Sequence, residues 1–340
     1  MLKDLFKKLL YATGAMGVYH RFRNAGSLTV VMFHRTLSAD DPRWSSCDPD
    51  YTLAASWFSE SLVFFRKHYN VVSLGQVLES RRKSVRLPPC SLLITFDDGW
   101  SDNVDYALPE LQRQGLPAVM FVVADAVGTR QPFFQEQLIA AWRRGSLRVD
   151  EIFAAMLPFQ RDVPEPYDNS MASLREAIAC LEKLDGDARK GILHFFAQGL
   201  DDGLRHMVDA SELLRLQKGG VALGLHGKTH LPLTEAPDLD AELSGARAGL
   251  ERQLGPSGAN AESMSFPHGA HDATIAQRAL DAGFELVFTS VPVLNPASPM
   301  PGWLLGRTGF ETDTIVDARG KFRPDLLALY LFRREKRRLA

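Results

Sequence analysis

The sequence predicts an α/β fold: a distorted (β/α) barrel of about seven parallel strands with a helical insertion. Three observations predict it. Residues 91–123 read as strand, helix, strand, a unit that pairs two parallel strands through a right-handed crossover. Short apolar runs of strand length recur along the chain between helical patterns, and fully apolar runs mark strands buried on both faces. A chain of 340 residues suits one such barrel with insertions. It can also bury a large core without disulfides or a structural metal, so a metal here would serve chemistry.

Residues 1–26 form an N-terminal amphipathic segment. Leu2, Leu5, Phe6, Leu9 and Leu10 fall at helical spacing, with Lys3, Lys7 and Lys8 on other faces. The segment lacks the unbroken apolar region and small-residue cleavage site of a signal peptide. Ser27–Phe33 is an apolar, β-branched strand ending at His34-Arg35, and residues 38–51 read as a long polar loop. Residues 56–69 suit a helix, 70–74 a short strand and 81–89 a basic surface connection. Ser91–Phe96 is a strand stopped by Asp97-Asp98-Gly99. A helix over 101–114 ends at Gly115, and 117–123 is the next buried strand. Residues 130–215 carry helical patterns and few strand signals, and read as the insertion. Strands resume at 221–225, followed by a helix over 238–254 and short strands at 263–266, 286–289 and 303–306. These assignments give a barrel domain over 27–310 and a basic helical tail over 311–340. The tail is apolar through Phe332 and then reads Arg-Arg-Glu-Lys-Arg-Arg.

The bulk numbers narrow the function. A formal net charge of −2 offers no global basic field, which argues against nucleic acid as a partner. Cys47, Cys90 and Cys180 are scattered, form no CxxC pair and fit a reducing compartment. No run of 18 apolar residues occurs, so no transmembrane helix is expected. The expected location is cytoplasmic, with peripheral contact on the inner membrane face through the two basic, apolar ends. A packing helix with a solvated charged edge is the competing reading of residues 1–26.

Four places could carry chemistry. Thr95-Phe-Asp-Asp-Gly99 puts two carboxylates at a strand end, where one can ligate a metal and the other accept a proton; a simple helix N-cap is the alternative. His226-Gly-Lys-Thr-His230 places two imidazoles four apart after an apolar strand. Paired histidines with a carboxylate leave a metal position open for water, although the spacing fits two polar loop histidines equally. Ser265-Phe-Pro-His-Gly269 is a strand end and turn whose backbone N–H could serve an oxyanion. There, His268 or His271 could instead become a further metal ligand. His34 and Arg307 each stand at a strand end, one able to protonate an amine and the other to pair with a carboxylate.

Taken in order, Thr95-Phe-Asp-Asp-Gly99, His226-Gly-Lys-Thr-His230 and Phe266-Pro-His-Gly269 resemble the first three motifs of the polysaccharide deacetylase (NodB-homology, carbohydrate esterase family 4-like) family. The resemblance implies Asp97 as catalytic base and Asp98, His226 and His230 as ligands of one divalent metal ion. Zinc is the default, and cobalt, nickel or manganese tolerate the same ligands. It also implies His268 and Arg307 as oxyanion and substrate residues. The third motif departs from the family's pattern, with Ser265 and Phe266 before Pro267 where an arginine usually stands. Arg307 is the stand-in for that orienting arginine. The family's late Leu-x-His motif is absent after residue 271. Val31-Met-Phe-His34-Arg35 resembles the arrangement of the exopolysaccharide-acting branch, which implies His34 as the acid. The expected activity is metal-dependent removal of N-acetyl groups from the amino sugars of an N-acetylated glycan. Two rival expectations are removal of a formyl or other acyl group from a lipid-linked sugar, and non-catalytic glycan binding on the same scaffold.

Overall fold

In the computed structural model, which describes residues 2–159, 168–255, 261–310 and 312–339, the apolar runs pair side by side into a barrel. Its strands are β1 (Ser27–Phe33), β2 (Ser91–Phe96), β3 (Ala118–Val122), β4 (Val221–Leu225), β5 (Ser263–Ser265), β6 (Leu286–Phe288), β7 (Leu304–Leu305) and β8 (Thr308–Gly309). They follow one another in space as in sequence through β7, every pair parallel. β8 then returns to β1, with Val31 opposite Thr308 and Met32 opposite Gly309, so that the ring is nearly closed. The last two strands are only two residues each, which makes the barrel distorted at its seam.

Strand alternation sorts the side chains. Leu28, Val30, Leu93, Val119, Phe121, Leu286, Phe288 and Leu305 fill the interior. Their neighbours in sequence, among them Val31, Ile94, Met120, Leu225, Met264 and Val287, face outward into the layer of surrounding helices. Gly224 is an inward position where a Cβ would come within 2.5 Å of the Phe121 ring, so the aromatic interior needs glycine there.

The end away from the strand C-termini is plugged by a helix the sequence reading missed. Residues 74–83 are helical, not part strand and part surface connection. Ser73 and Gln76 form a capping box that starts this helix. Only Asn70–Val71 pairs as strand. Val77 and Leu78 join the interior cluster, and Arg82 pairs with Glu262 and Glu285, just ahead of β5 and β6. The loop over 38–51 contains single helical turns at Pro42–Ser45 and Pro49–Tyr51. It is bracketed by a small parallel pair, Arg35–Leu37 with Thr52–Ala54, also unforeseen. The helix expected from 101 begins as a wide turn over Asn103–Ala107 and becomes regular only from Leu108. Pro109 has no N–H to complete the earlier turn.

Between β3 and β4, helices Phe134–Arg143, Val149–Met156, Met171–Lys183 and Gly186–Phe195 share an apolar cluster of their own, from Leu138 to Leu200. The next helix, Ala210–Lys218, packs instead on the barrel's outer core through Leu213 and Leu216. Two N-terminal helices, Leu2–Ala12 and Ala15–Asn24, lie against the C-terminal helix Pro324–Phe332. Among the described residues no helix is long and apolar enough to cross a membrane.

Candidate active site at the barrel mouth

The interior positions of the strands run on, two residues further, into the site. His34, Asp97, His226, Ser265 and Arg307 each lie one inward step past Met32, Thr95, Gly224, Ser263 and Leu305. Alternation alone therefore aims these side chains into one mouth. There His34, Asp97 and His226 line a cavity of about 330 Å³ together with Asp98, His230 and His268; Ser265 and Arg307, hydrogen-bonded to each other, sit just beneath it.

Asp98 breaks the alternation. Its φ is +78° and that of Gly99 is +88°, so the chain turns sharply and swings the second carboxylate beside the first. Asp98 Oδ1 lies 3.4 Å from His226 Nε2 and 3.3 Å from His230 Nε2. The three donors fall within 4.8 Å of one another, all on buried residues. Asp98 Oδ1 has no hydrogen-bond partner, while Oδ2 accepts from Trp100 Nε1 at 2.9 Å. His226 Nδ1 meets the Ser265 carbonyl at 2.9 Å, which fixes the ring and leaves Nε2 free to ligate. An unmet carboxylate oxygen beside two imidazole nitrogens is the donor set a divalent cation takes. These residues fit the implied metal.

The electrostatics agree. Burial pushes His226 down to about 4, against the pull of Asp97 and Asp98, so its ring is neutral near pH 7 and able to ligate. Burial works to raise Asp98, but His230, His34 and His226 outweigh it and hold the carboxyl well below its usual range.

Asp97 is held differently. Arg307 Nη1 and Nη2 each donate to it at 2.7 Å, one to each carboxylate oxygen. The same guanidinium donates to Ser265 Oγ at 2.6 Å and to the Thr289 carbonyl at 3.1 Å. Burial raises Asp97, and Arg307, followed by His226, more than offsets it, so the group stays ionised. Arg307 is 1% exposed. Its donors are committed to the protein, so it orients Asp97 and is not available to substrate. That corrects its grouping with the substrate residues. It sits in the short link between β7 and β8, which brings it across the seam to β2.

His34 is half-buried, its ring edge-on to Tyr51 at 4.7 Å, on the wall shared by this cavity and a larger one of about 800 Å³. His268, with φ +56°, lies with Nε2 3.2 Å from the His230 carbonyl. His271 stacks on Phe266 and stands apart from the three-donor group.

Several residues escaped the sequence reading. Trp100 follows the first motif directly, and an indole there was a visible candidate partner for Asp98. Glu242, 5% exposed, accepts from the Lys228 and Thr229 amides and from Thr229 Oγ1, fixing the loop that carries both histidines. Its spacing gave no signal. Phe133 stacks on His230 at 4.0 Å. Gln135, Glu136, Arg175 and Glu182, from the helices after β3, form the facing wall of the cavity. Burial and the Asp48 carboxylate push Glu136 up to about 8, so it is protonated at neutral pH.

The chain resembles known proteins in part of its sequence and in its fold. A polysaccharide deacetylase family model matches residues 84–152. YxkH of Bacillus subtilis (strain 168), assigned by name to the polysaccharide deacetylases, is 38% identical over 47 residues, 14% of this chain and 17% of that protein. The match thus spans less than a fifth of that relative. Among solved structures, the Streptococcus pyogenes deacetylase PplD, in complex with acetate, superposes with a TM-score of 0.55 at 14% identity, covering 90% of this chain and 98% of that one. IcaB from Ammonifex degensii gives 0.55 at 17% identity, covering 90% and 97%. At such identities the structural likeness speaks for the fold.

Proposed function

We propose that this chain, which belongs to the polysaccharide deacetylase family, is a metal-dependent hydrolase that removes N-acetyl groups from amino sugars of a glycan. The observation that carries the reading is the unmet Asp98 Oδ1 between two imidazole nitrogens, with a separately held carboxylate, Asp97, 3.9 Å from His226 Nε2. One carboxylate is placed to ligate and the other is left to move a proton.

Asp98, His226 and His230 would hold the ion. A divalent cation held there, zinc by default, supplies the Lewis acidity that makes water a nucleophile near neutral pH. Asp97, kept ionised and aimed by Arg307, takes the proton from the attacking water. The carbonyl oxygen of the acetamide gathers negative charge, and the backbone N–H of His268 is placed at the turn to donate to it. His34 gives a proton to the departing amine from the opposite wall. Acetate and a free amino sugar result. Gln135, protonated Glu136, Arg175 and Glu182 face this centre and grip the sugar's hydroxyls, so the helices between β3 and β4 choose the glycan. The same placement of His34 favours the exopolysaccharide type of substrate.

Acetate release from chitooligosaccharides and from a partly acetylated exopolysaccharide, with and without chelator, tests the reading. Release that chelator stops and added Zn²⁺ restores is expected, and Asp98→Ala should lose both metal and release. Glycan binding without any release would make the protein a non-catalytic binder.

A further inference from the structure

The two N-terminal helices leave most of their apolar residues facing out. Label them α1 (Leu2–Ala12) and α2 (Ala15–Asn24). A helix on the surface of a globule turns its apolar stripe inward and its polar face to water. In α1, Leu2, Leu5, Phe6 and Leu9 form a stripe at i, i+3, i+4 and i+7. These residues are 83%, 64%, 59% and 56% exposed. Toward the protein, α1 presents Leu10 and the Tyr11 ring together with polar groups. Asp4 accepts from Arg323 Nη2 at 2.7 Å, and the Tyr11 hydroxyl lies 3.2 Å from His68 Nε2. In α2, His20 and Asn24 are buried, joined to each other at 2.9 Å and, through Asn24, to the Phe332 carbonyl at 3.0 Å. Val18, Tyr19 and Phe22 point out, Phe22 at 86% exposure.

Scattered exposed apolar residues are ordinary, but a contiguous stripe over two helices marks a surface made to be covered. An apolar groove of about 330 Å³ between these helices and the C-terminal helix extends the stripe, lined by Leu10, Met16, Tyr19, Leu329 and Phe332. What surrounds it is cationic. Lys3, Lys8, Arg21 and Arg333 are exposed. Of the neighbouring carboxylates, Asp4 is bound by Arg323 and Lys8 and Asp317 accepts from the Arg319 and Lys321 amides; among the described residues after 330, Glu335 is the exposed acid. Apolar side chains flanked by lysine and arginine are the composition of a helix lying in a lipid headgroup layer, where long cationic side chains reach the phosphates.

We propose that α1 and α2 dock this protein on an anionic lipid surface, with Leu2, Leu5, Phe6, Leu9 and Phe22 entering the layer. The C-terminal helix links that face to the catalytic cleft. Its Leu329 and Phe332 line the groove, and its Tyr330 lines the larger cavity beside His34. The C-terminal helix thus contacts both the lipid-facing helices and the cleft rim, so docking favours glycan carried at the membrane. That last step rests on the proposed deacetylase reading; the docking itself does not.

Vesicle sedimentation tests the docking without any activity assay. Phosphatidylcholine vesicles with and without phosphatidylglycerol would be spun with the full chain, with Phe6→Asp/Phe22→Asp, and with Lys3→Gln/Lys8→Gln. Every substituted residue is exposed, so unchanged circular dichroism and melting temperature are expected of both variants. The unaltered chain should pellet with the anionic vesicles. The lysine variant should partition roughly 25-fold more weakly, at about fivefold for each of two cations, and the aspartate variant should stay in solution. A chain that never pellets, or an aspartate variant that pellets like the unaltered chain, overturns the proposal. So does light scattering that finds a dimer which Phe6→Asp/Phe22→Asp dissolves while no form binds vesicles; that result gives the face to a second copy.

Discussion

The barrel mouth and the N-terminal flank both bury polar groups against apolar ones, but they leave opposite things unmet. In the mouth, Asp98 Oδ1 and its neighbour His230 Nδ1 are buried and have no partner, while Asp97 is held on both oxygens by Arg307. In the flank, the buried amide of Asn24 and the carboxylate of Asp4 are paired with protein; His20 Nε2 is buried without a partner, but the wider unmet surface is hydrocarbon. A buried polar atom without a partner costs about 1–3 kcal/mol, and an open apolar stripe forgoes about 25 cal/mol for every Å² it could bury. Each deficit suits the partner proposed for it: a cation in one case, an apolar and anionic surface in the other.

The comparison can be broken first at Asp97. Asp97→Asn should leave cation binding intact, as calorimetry would show, and cut turnover by about 10²–10⁴-fold, the usual range for a positioned base. Turnover near that of the unaltered chain would remove Asp97 from the proton transfer. Next in size is Arg307→Met, which strands a buried carboxylate. Removing one partner of such a pair costs about 3–5 kcal/mol, to be read as a shifted denaturant midpoint, and turnover should fall with it. If stability is unchanged, the pairing across the seam is not what holds the mouth. Trp100→Phe keeps the ring but drops the hydrogen bond to Asp98 Oδ2. Metal affinity should weaken by roughly 10–100-fold, the range for an outer partner of a ligand, with little change in turnover at saturating metal.

The smallest effect belongs to the flank. Burial, with His68 nearby, pushes His20 down to about 4, and burial with Lys67 and Arg21 does the same to His68. Between pH ~6.5 and about 4 the unfolded chain takes protons at these sites that the folded chain refuses. Stability is therefore full above the unfolded value and falls as pH drops through that window. Melting temperatures at pH 7.5 and 5 should show the loss, and His20→Phe should shrink the difference. An unchanged difference would mean that His20 does not carry this pH dependence.

Much of the mouth could be read from the sequence because its information is local. An apolar run followed by Asp97-Asp98-Gly99, or by His226 four residues before His230, states both where a strand ends and what stands there. The parts that stayed hidden depend on partners far along the chain. Glu242 serves the histidine loop from a helix whose pattern is unremarkable, and β7 and β8 are too short for any periodicity to register. Helix 74–83 was legible in its Ser73–Gln76 box but was masked by the β-branched residues before it. In the flank, spacing revealed the stripe of Leu2, Leu5, Phe6 and Leu9 and could not tell which way it faces. The polar anchors that turn it outward, Arg323 and His68, lie in other elements.

The link that carries Arg307 joins β7 to β8, and β8 returns to β1. Near-closure of the ring and the aiming of Asp97 are thus one event, supplied by the last strands to be synthesised. A growing chain that has reached only residue 300 already possesses both motif carboxylates and both motif histidines, but it lacks the guanidinium that holds Asp97 ready. The three residues proposed to hold the ion are thus synthesised before the residue that orients Asp97.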